Sequence, residues 1–359
     1  MLQKLTSAAV VGALSLAASC SKEPPPAPVE APTPPPPAAV TVDRNKLAAF
    51  APLPDVMGDA ATVSEAKVKL GQTLFHDPRL SLSQDISCNS CHTLSNYGVD
   101  GQPTSAGFQG QRGGRNSPTV WNAAGHFVQF WDGRAEHVEA QAKGPVLNPG
   151  EMAMKDDKAV VDTLKSIPGY ADLFKAAFPD AQDPITWDNY AVAVGAFERK
   201  LVTPSRFDAY LKGDDAALTD DEKKGLNAFL DNGCTACHAG AYVGGAMYQK
   251  AGLVKPWPSD KDVGRAAITN NDLDKFFFKV PSLRNVEKTA PYFHDGQTAN
   301  LDEAVKIMAR HQLGKELDDV ETASIVTFLK SLTGELPAEW TATPTLPESG
   351  PSTPKPVKG

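Results

Sequence analysis

The sequence is poor in cysteine, in long apolar runs and in positive charge. It has five cysteines in 359 residues, and four belong to two short motifs. The fifth, Cys20, ends an apolar N-terminal stretch, so no cysteine remains for a disulfide, a zinc site or a catalytic thiol. That stretch, from Ala8 to Ala18, is too short for a stable membrane span. The formal net charge of −8 gives no sign of nucleic-acid binding.

Two stretches, 88–92 (CNSCH) and 234–238 (CTACH), carry the C-x-x-C-H signature of covalent haem c. The two thiols of this signature add to the haem vinyl groups, and the His becomes the proximal iron ligand. A zinc ribbon would need its Cys pairs closer in sequence, and a redox dithiol does not explain the His after each pair. The predicted attachment residues are Cys88, Cys91, Cys234 and Cys237, and the predicted proximal ligands are His92 and His238.

The first 20 residues have the pattern of a secretory signal, with Lys4 before the apolar stretch. The ending LAASC (16–20) resembles a bacterial lipobox, which would make Cys20 the lipid-bearing first residue of the mature protein. The alternative is an ordinary signal peptide with an incidental Cys. Covalent haem attachment takes place outside the cytoplasm in bacteria. We therefore expect a periplasmic protein anchored to a bacterial membrane by its lipid.

The rest of the chain predicts a mainly α fold, because no segment sustains the alternation of a half-buried strand. Capping boxes predict helix starts at Thr62, Thr219, Asn300 and Asp318. The separation of the two motifs predicts two cytochrome c-like domains with one haem each and long ordered loops. The predicted segments are a Pro-rich tether (21–45), a first haem domain (46–203), a second haem domain (204–340) and a disordered tail (341–359).

With these motifs in position, the chain resembles the bacterial di-haem cytochrome c peroxidases between about Lys69 and Leu332. The resemblance rests on segments beyond the haem motifs, including LGQTLFHDPRLS (70–81), RNSPTVWNAAGHFVQFWDGRAE (115–136), QAKGPVLNPGEMAM (141–154), VPSLRNVEKTAPYFHDGQ (280–297) and LDEAVKIMARHQLG (301–314). It implies an enzyme that reduces hydrogen peroxide to water. The electrons would come from a small redox protein, either a monohaem cytochrome c or a cupredoxin, and a homodimer is expected.

For the second haem, the resemblance implies Met308 as the distal iron ligand opposite His238. A thioether ligand raises the haem potential, which suits a haem that receives electrons. Periodicity alone would make Met308 a core residue of an amphipathic helix, and His311, one turn further on, is a rival ligand. A Met here also argues against the similar enzymes that mature methylamine dehydrogenase, which use a Tyr.

For the first haem, the resemblance implies that peroxide is split opposite His92. Glu151 corresponds to the family's acid–base residue, Gln141 to its pocket amide, and Trp131 to an electron relay between the haems. Without the resemblance, each would be an ordinary surface or core residue. The resemblance also implies one calcium ion between the domains. Its ligands, which match the oxygen chemistry of calcium, would be Asn116, Thr289 and Pro291.

The loop after the first motif departs from the family pattern. Most members have a His in a segment like TSxGH, and this His caps the first iron until the other haem is reduced. Here the segment ends in Phe108, which cannot ligate iron. We expect a first haem that is open without reductive activation. His126 could instead act as a substitute ligand, or Phe108 could block the pocket. A non-enzymatic di-haem electron carrier is the rival function.

Overall fold

A computed structural model describes residues 7–13 and 39–357. The chain divides into Met1–Ala39 and Val40–Gly359, and the second unit holds both haem motifs. Residues 7–13 are exposed and form neither helix nor strand. The lipobox, Cys20 and residues 21–38 of the predicted tether lie outside the described residues. Among the helices of the described part, none has the length and apolar character that crossing a bilayer requires.

Helices dominate Val40–Gly359, as the sequence predicts. A two-stranded antiparallel sheet pairs β1 (Tyr248–Lys250) with β2 (Phe277–Lys279). The α-helices of the described residues are α1 (Glu65–His76), α2 (Cys88–Cys91), α3 (Val138–Leu147), α4 (Asp157–Lys165), α5 (Pro168–Ala177), α6 (Trp187–Glu198), α7 (Arg206–Leu211), α8 (Asp220–Asp231), α9 (Ala266–Thr269), α10 (Leu301–Met308), α11 (Asp319–Lys330) and α12 (Ala338–Thr341).

Local capping explains where several helices begin. Thr219 and Glu222 form the predicted capping box of α8, and the Asp318 carboxylate accepts from the backbone N–H at N3 of α11. The predicted start at Thr62 is wrong. The Thr62 hydroxyl donates to the carbonyl of Asp59 in a separate 3-10 turn, and Ser64 caps α1 instead. Asn300 is the N-cap of α10, but its side chain accepts no capping hydrogen bond.

Two hydrophobic cores lie on either side of the predicted boundary at Pro204. The first includes Leu70 and Phe197, where α1 packs against α6. The second includes Leu226 and Phe328, where α8 packs against α11. Each core therefore supports one haem motif, since α2 lies beside α1 and the second motif follows α8 directly.

Each end of Val40–Gly359 packs on the core of the other predicted domain. Phe50 packs on the second core, with its ring centroid 5.3 Å from that of Phe207, although residue 50 lies in the predicted first domain. Trp340 packs edge-on against Phe197 of the first core. The expectation of a disordered tail is wrong for residues 341–357, because Val357 N–H donates to the Leu82 carbonyl and Thr353 is buried.

Residues 116–145 and 279–308 follow the same backbone course. Each residue of the first range matches one of the second at a constant offset, as Asn122 matches Asn285. Both of these Asn residues are left-handed, with φ of 62° and 60°, and each precedes a short 3-10 turn. Phe130 and Phe293, at the same offset, have φ of 65° and 68°. The side-chain amides of Asn122 and Asn285 both donate to the hydroxyl of Thr203, at 2.8 and 2.9 Å. The fold thus contains an internal repeat whose two copies meet at Thr203.

The two copies of the repeat also pair through their backbones. The N–H of Asn116 donates to the His294 carbonyl at 2.8 Å. At the matching positions of the other copy, the N–H of Lys279 donates to the Trp131 carbonyl, also at 2.8 Å. These reciprocal bonds bring the first half of the molecule (residues 46–203) and the second half (residues 204–340) to a common interface.

Candidate active site

One cavity of about 750 Å³ lies between the two haem motifs. Its lining includes His92 and His238, and Glu198 and Glu151 are the only carboxyl side chains on its wall within the described residues. Further predicted site residues also line it: Cys88, Cys91, Cys234, Cys237, Gln141, Trp131, Met308, Asn116, Thr289 and Pro291. Residues far apart in sequence therefore converge on one space.

The first haem motif forms the short helix α2, and the second forms a 3-10 turn over Cys234–Ala236. In each, the His N–H donates to the carbonyl of the first Cys, at 2.9 Å for His92 and 3.0 Å for His238. None of the four motif cysteines forms a disulfide within the described residues. A single turn of backbone thus presents two sulfurs and an imidazole to the cavity, which is the arrangement that covalent haem needs.

The two motif imidazoles are buried at the cavity wall. Burial lowers the pKa of His92 below its ordinary value and that of His238 to about 4, while nearby backbone carbonyls, including those of Pro118 and Pro281, oppose the shift. The Nδ1 atoms of both rings are buried without a hydrogen-bond partner. Neutral imidazole is the form that ligates metal, so both residues fit the proximal role.

Met308 ends α10 and is followed by a π-helical turn, Ala309–Leu313. Met308 lines the cavity, but His311 is not among the lining residues. The Nδ1 of His311 instead lies 3.2 Å from the Lys255 carbonyl, and its ring packs edge-on against Trp257. The geometry therefore favours Met308 over His311 as the residue available to the second haem.

Gln141 lies on α3 and Glu151 on the loop that follows it, and both line the cavity. The charge of Glu151 helps to raise the pKa of Cys91, which places this carboxyl near the first motif. The side-chain amide of Asn148 donates to Glu151 Oε1 at 2.9 Å, which holds the carboxyl in place. Burial raises the pKa of Glu151 above its ordinary value, although the charge of Arg134 and the bond from Asn148 oppose the rise. A carboxyl with a raised pKa can exchange protons closer to neutral pH.

Phe108 lies beside Glu151 but contacts it through the backbone. The Phe108 N–H donates to the Glu151 carbonyl at 2.8 Å. A Cβ on Gly107 would meet the Gly150 carbonyl oxygen at 2.0 Å, so this close approach requires a glycine. Gly107 lines the cavity, whereas Phe108 is not among the lining residues. The idea that the Phe108 side chain blocks the pocket gains no support from this geometry.

Trp131 joins the two halves. Its indole N–H donates to the Asn116 carbonyl at 2.9 Å, and its own carbonyl accepts from Lys279. The indole also packs edge-on against the ring of His294, with centroids 6.3 Å apart. An aromatic ring with contacts in both halves is suitably located for a relay.

The three predicted calcium ligands all line the cavity at the interface between the halves. The Asn116 amide nitrogen donates to the Gln102 carbonyl at 2.9 Å, which leaves its amide oxygen as the available end. Within the described residues, His, Cys, Asp and Glu form no cluster of three or more that would suit a metal ion. A cation at this place would therefore depend on neutral oxygens, which calcium accepts.

The sequence reasoning missed several charged residues of the cavity. Arg115 bridges Asp132 of the first half and Asp262 of the second, at 2.6 and 2.7 Å, and so fastens the halves together. Lys279 and His126 form a buried contact at the same interface, with 3.1 Å between Nζ and Nδ1. Isolated charges in the sequence give no signal of this kind, because Asp262 and Lys279 lie 147 and 153 residues from their partners.

Known proteins are similar to this chain over most of its length. Residues 65–216 match the family model described as di-haem cytochrome c peroxidase. The cytochrome c551 peroxidase of Pseudomonas aeruginosa is 49% identical over 322 residues, covering 87% of this chain and 91% of that protein. The cytochrome c551 peroxidase of Nitrosomonas europaea is 46% identical over 306 residues, covering 85% and 89%.

A solved structure has a similar architecture. It is a MauG-like protein associated with microbial copper homeostasis, with a TM-score of 0.72 and 27% sequence identity. The match covers 81% of this chain and 97% of that protein. The likeness therefore extends over both halves rather than one haem motif.

Proposed function

We propose a reaction path from one premise, which is that this chain belongs to the di-haem cytochrome c peroxidase family. It is an oxidoreductase that acts on hydrogen peroxide, carries two haem c groups and takes its electrons from a redox protein. The observation that carries the finer proposal is the single cavity shared by both motif histidines and by Glu151 and Gln141.

Bound haem c supplies redox-active iron at each motif. We assign electron entry to the His238/Met308 side and peroxide reduction to the His92 side, with Trp131 between them. The path is supported by the contacts of Trp131 with Asn116 in one half and Lys279 in the other. The donor would be a monohaem cytochrome c or a cupredoxin.

At the His92 side, Glu151 moves a proton and Gln141 orients the substrate. The Glu151 carboxylate takes a proton from one peroxide oxygen and delivers it to the other, which leaves as water. Two electrons and two further protons complete the reduction of hydrogen peroxide to two waters. Burial of Glu151 supports this role because it brings the pKa of the carboxyl closer to the working pH.

The first haem of this chain would be active without reductive activation. Phe108 replaces the usual His, and its loop contacts the Glu151 segment through a backbone hydrogen bond. His126 also lines the cavity, but its Nδ1 lies 3.1 Å from Lys279 Nζ and its ring packs edge-on against Tyr242, so the ring would have to leave these contacts to swing onto the iron.

The test is a hydrogen peroxide titration of the fully oxidised holoprotein, followed in the Soret band. We expect a prompt spectral change, and Phe108→His should abolish that change until the second haem is reduced. A wild-type protein that responds only after reduction would reject the open site. A protein that responds in neither state would favour the electron-carrier function.

The remaining features of the proposal concern location and assembly. We propose periplasmic export, a lipid anchor at Cys20, a homodimer, and one calcium ion held by Asn116, Thr289 and Pro291. The N-terminal LAASC segment supports the anchor, and the shared lining of the cavity by the three ligands supports the ion. Mass analysis of the mature N-terminal peptide tests the anchor, and metal analysis after chelation tests the ion.

A further inference from the structure

Lys279 is a buried lysine on the wall of the cavity between the haem motifs. Its relative exposure is 6%, and its Nζ lies 3.1 Å from Nδ1 of His126. It belongs to none of the ion pairs formed within residues 39–357. A buried ammonium without a counter-charge is destabilising, because the loss of its hydration is not offset by an opposite charge.

The contact between Lys279 and His126 fixes which atoms carry protons. Burial lowers the pKa of Lys279 to about 8, which leaves the amine mostly protonated at neutral pH. Burial and the lysine charge hold the pKa of His126 well below its ordinary value, so its ring is neutral. The ammonium therefore donates to Nδ1, and Nε2 carries the ring proton. Nε2 is also buried and has no protein partner.

The cavity wall offers Lys279 no carboxylate. Glu198 and Glu151 are the carboxyls that line it within the described residues, and neither contacts Lys279. Burial raises the pKa of Glu198 to about 8, which keeps that carboxyl largely neutral. Arg115 and Arg134, by contrast, are each paired with Asp132. The cavity thus has an uncompensated cation, and the groups expected to enter it, the haems, carry propionate carboxylates.

The internal repeat gives this position a counterpart. Lys279 matches Asn116, and His126 matches Thr289, at the offset that relates Asn122 to Asn285. Asn116 and Thr289 are two of the proposed calcium ligands. One side of the interface therefore offers oxygens to a cation, and the matching side supplies a cation of its own.

We propose that the Lys279 ammonium, oriented by His126, binds a haem propionate at the interface between the two halves. The inference rests on the two covalent haems of the family but not on the assignment of catalytic residues. Because the backbone N–H of Lys279 bonds to the Trp131 carbonyl, a direct backbone hydrogen bond links the residue that binds the propionate to the proposed relay. Lys279 is a positioning residue, and its charge raises the potential of the haem that it contacts, since a nearby cation disfavours ferric iron.

The experiment is an equilibrium redox titration of the holoprotein, with the midpoint potential of each haem followed by absorbance. Lys279→Met should lower the midpoint potential of at least one haem, and Lys279→Arg should keep it close to the wild-type value. Lys250→Met is the matched control, because Lys250 is exposed on β1, which pairs with β2. If Lys279→Met fails to take up haem, Lys279→Gln, which keeps a donor without the charge, is measured instead.

Two results would overturn the proposal. One is a charge-free variant at position 279 with both midpoint potentials equal to those of Lys250→Met. The other is a midpoint potential of the wild type that shifts with chloride or phosphate concentration by as much as Lys279→Met shifts it. That result would assign the site to an inorganic anion. The titration uses no peroxide, so its outcome is independent of whether the proposed peroxidase path is correct.

Discussion

The two halves of the molecule have the same backbone frame and different distal chemistry. In the second half, the helix after the repeated Phe-x-Asp-Gly segment ends in Met308, which lines the cavity. At the matching position of the first half, α3 has Pro145, which also lines the cavity but has no atom that could bind iron. The first half instead has Gln141 and Glu151. In the proposed function, one frame would thus serve a closed haem in one half and an open one in the other.

The comparison also shows which features of the frame the two copies share. Asn122 and Asn285 keep identity, left-handed φ and the bond to Thr203, because a polar residue that tolerates this conformation is needed at each copy. Trp121 and Arg284 occupy one matched position and are both almost fully buried. The backbone frame therefore fixes burial more strictly than side-chain chemistry, and function diverges where side chains face the cavity.

The largest effect is expected from removing Glu151, the carboxyl proposed to move the proton in the first half. Glu151→Gln should lower kcat/KM for peroxide by about 10²–10⁴-fold, because general acid–base catalysis contributes about that much. The absorbance of the second haem should remain unchanged, since Glu151 lies beside the first motif. Glu136→Gln is the control, because Glu136 is an exposed carboxyl just before α3, whereas Glu151 follows that helix. Similar losses in both variants would contradict the assignment.

Glu151 also predicts the pH dependence of the reaction. It must be ionised to accept the peroxide proton, so kcat/KM should rise as pH increases through the pKa of this carboxyl. Burial raises that pKa, and the acid limb should therefore lie above the range of an exposed Glu. A pH–rate profile of the wild type and of Glu151→Gln checks this. An acid limb that survives in the variant would assign the titration to another group.

The next substitution makes the cavity wall of the first half resemble that of the second. Pro145→Met introduces a thioether at the position that matches Met308. If the new thioether binds the first iron in most molecules, only the remaining open molecules can react with peroxide. The apparent rate should then fall on the order of tenfold, in proportion to the open fraction. The ferric spectrum should change from high spin to low spin at the first haem only. Pro145→Leu, of similar size without sulfur, should keep the high-spin spectrum.

The sequence predicts the chemistry of the site better than its arrangement. The haem attachment residues could be predicted because a fixed short spacing is enough to define them. The internal repeat was missed, since few identities such as Asn122/Asn285 and Phe130/Phe293 survive and they mark backbone turns rather than motifs. The buried pair of His126 and Lys279 was missed because two residues 153 positions apart come together only in the fold.

Thr203 provides a smaller effect that should reach both halves. Thr203→Val removes the hydroxyl that accepts from Asn122 and Asn285, and two buried amides lose a partner. We expect a loss of about 1–3 kcal/mol in the free energy of unfolding, the usual cost of an unsatisfied buried group. Thr203→Ser keeps the oxygen and should recover most of it. Urea unfolding followed by circular dichroism measures both variants, and an equal loss in each would assign the effect to packing.

The smallest effect is expected in the C-terminal segment, residues 341–357. This segment packs on the first core, so the effect should be confined to the first half. The Thr353 hydroxyl accepts from the Gly350 N–H at 2.9 Å and donates to the Ser166 carbonyl at 3.2 Å. Thr353→Val should therefore cost about 0.5–1.5 kcal/mol. It should also speed amide exchange at Val357, whose N–H bonds to Leu82. Thr343→Val, at an exposed position of the same segment, should do neither. If both variants speed exchange equally, the hydroxyl of Thr353 does not hold this segment, and apolar contacts such as that of Trp340 with Phe197 are what fasten it to the first core.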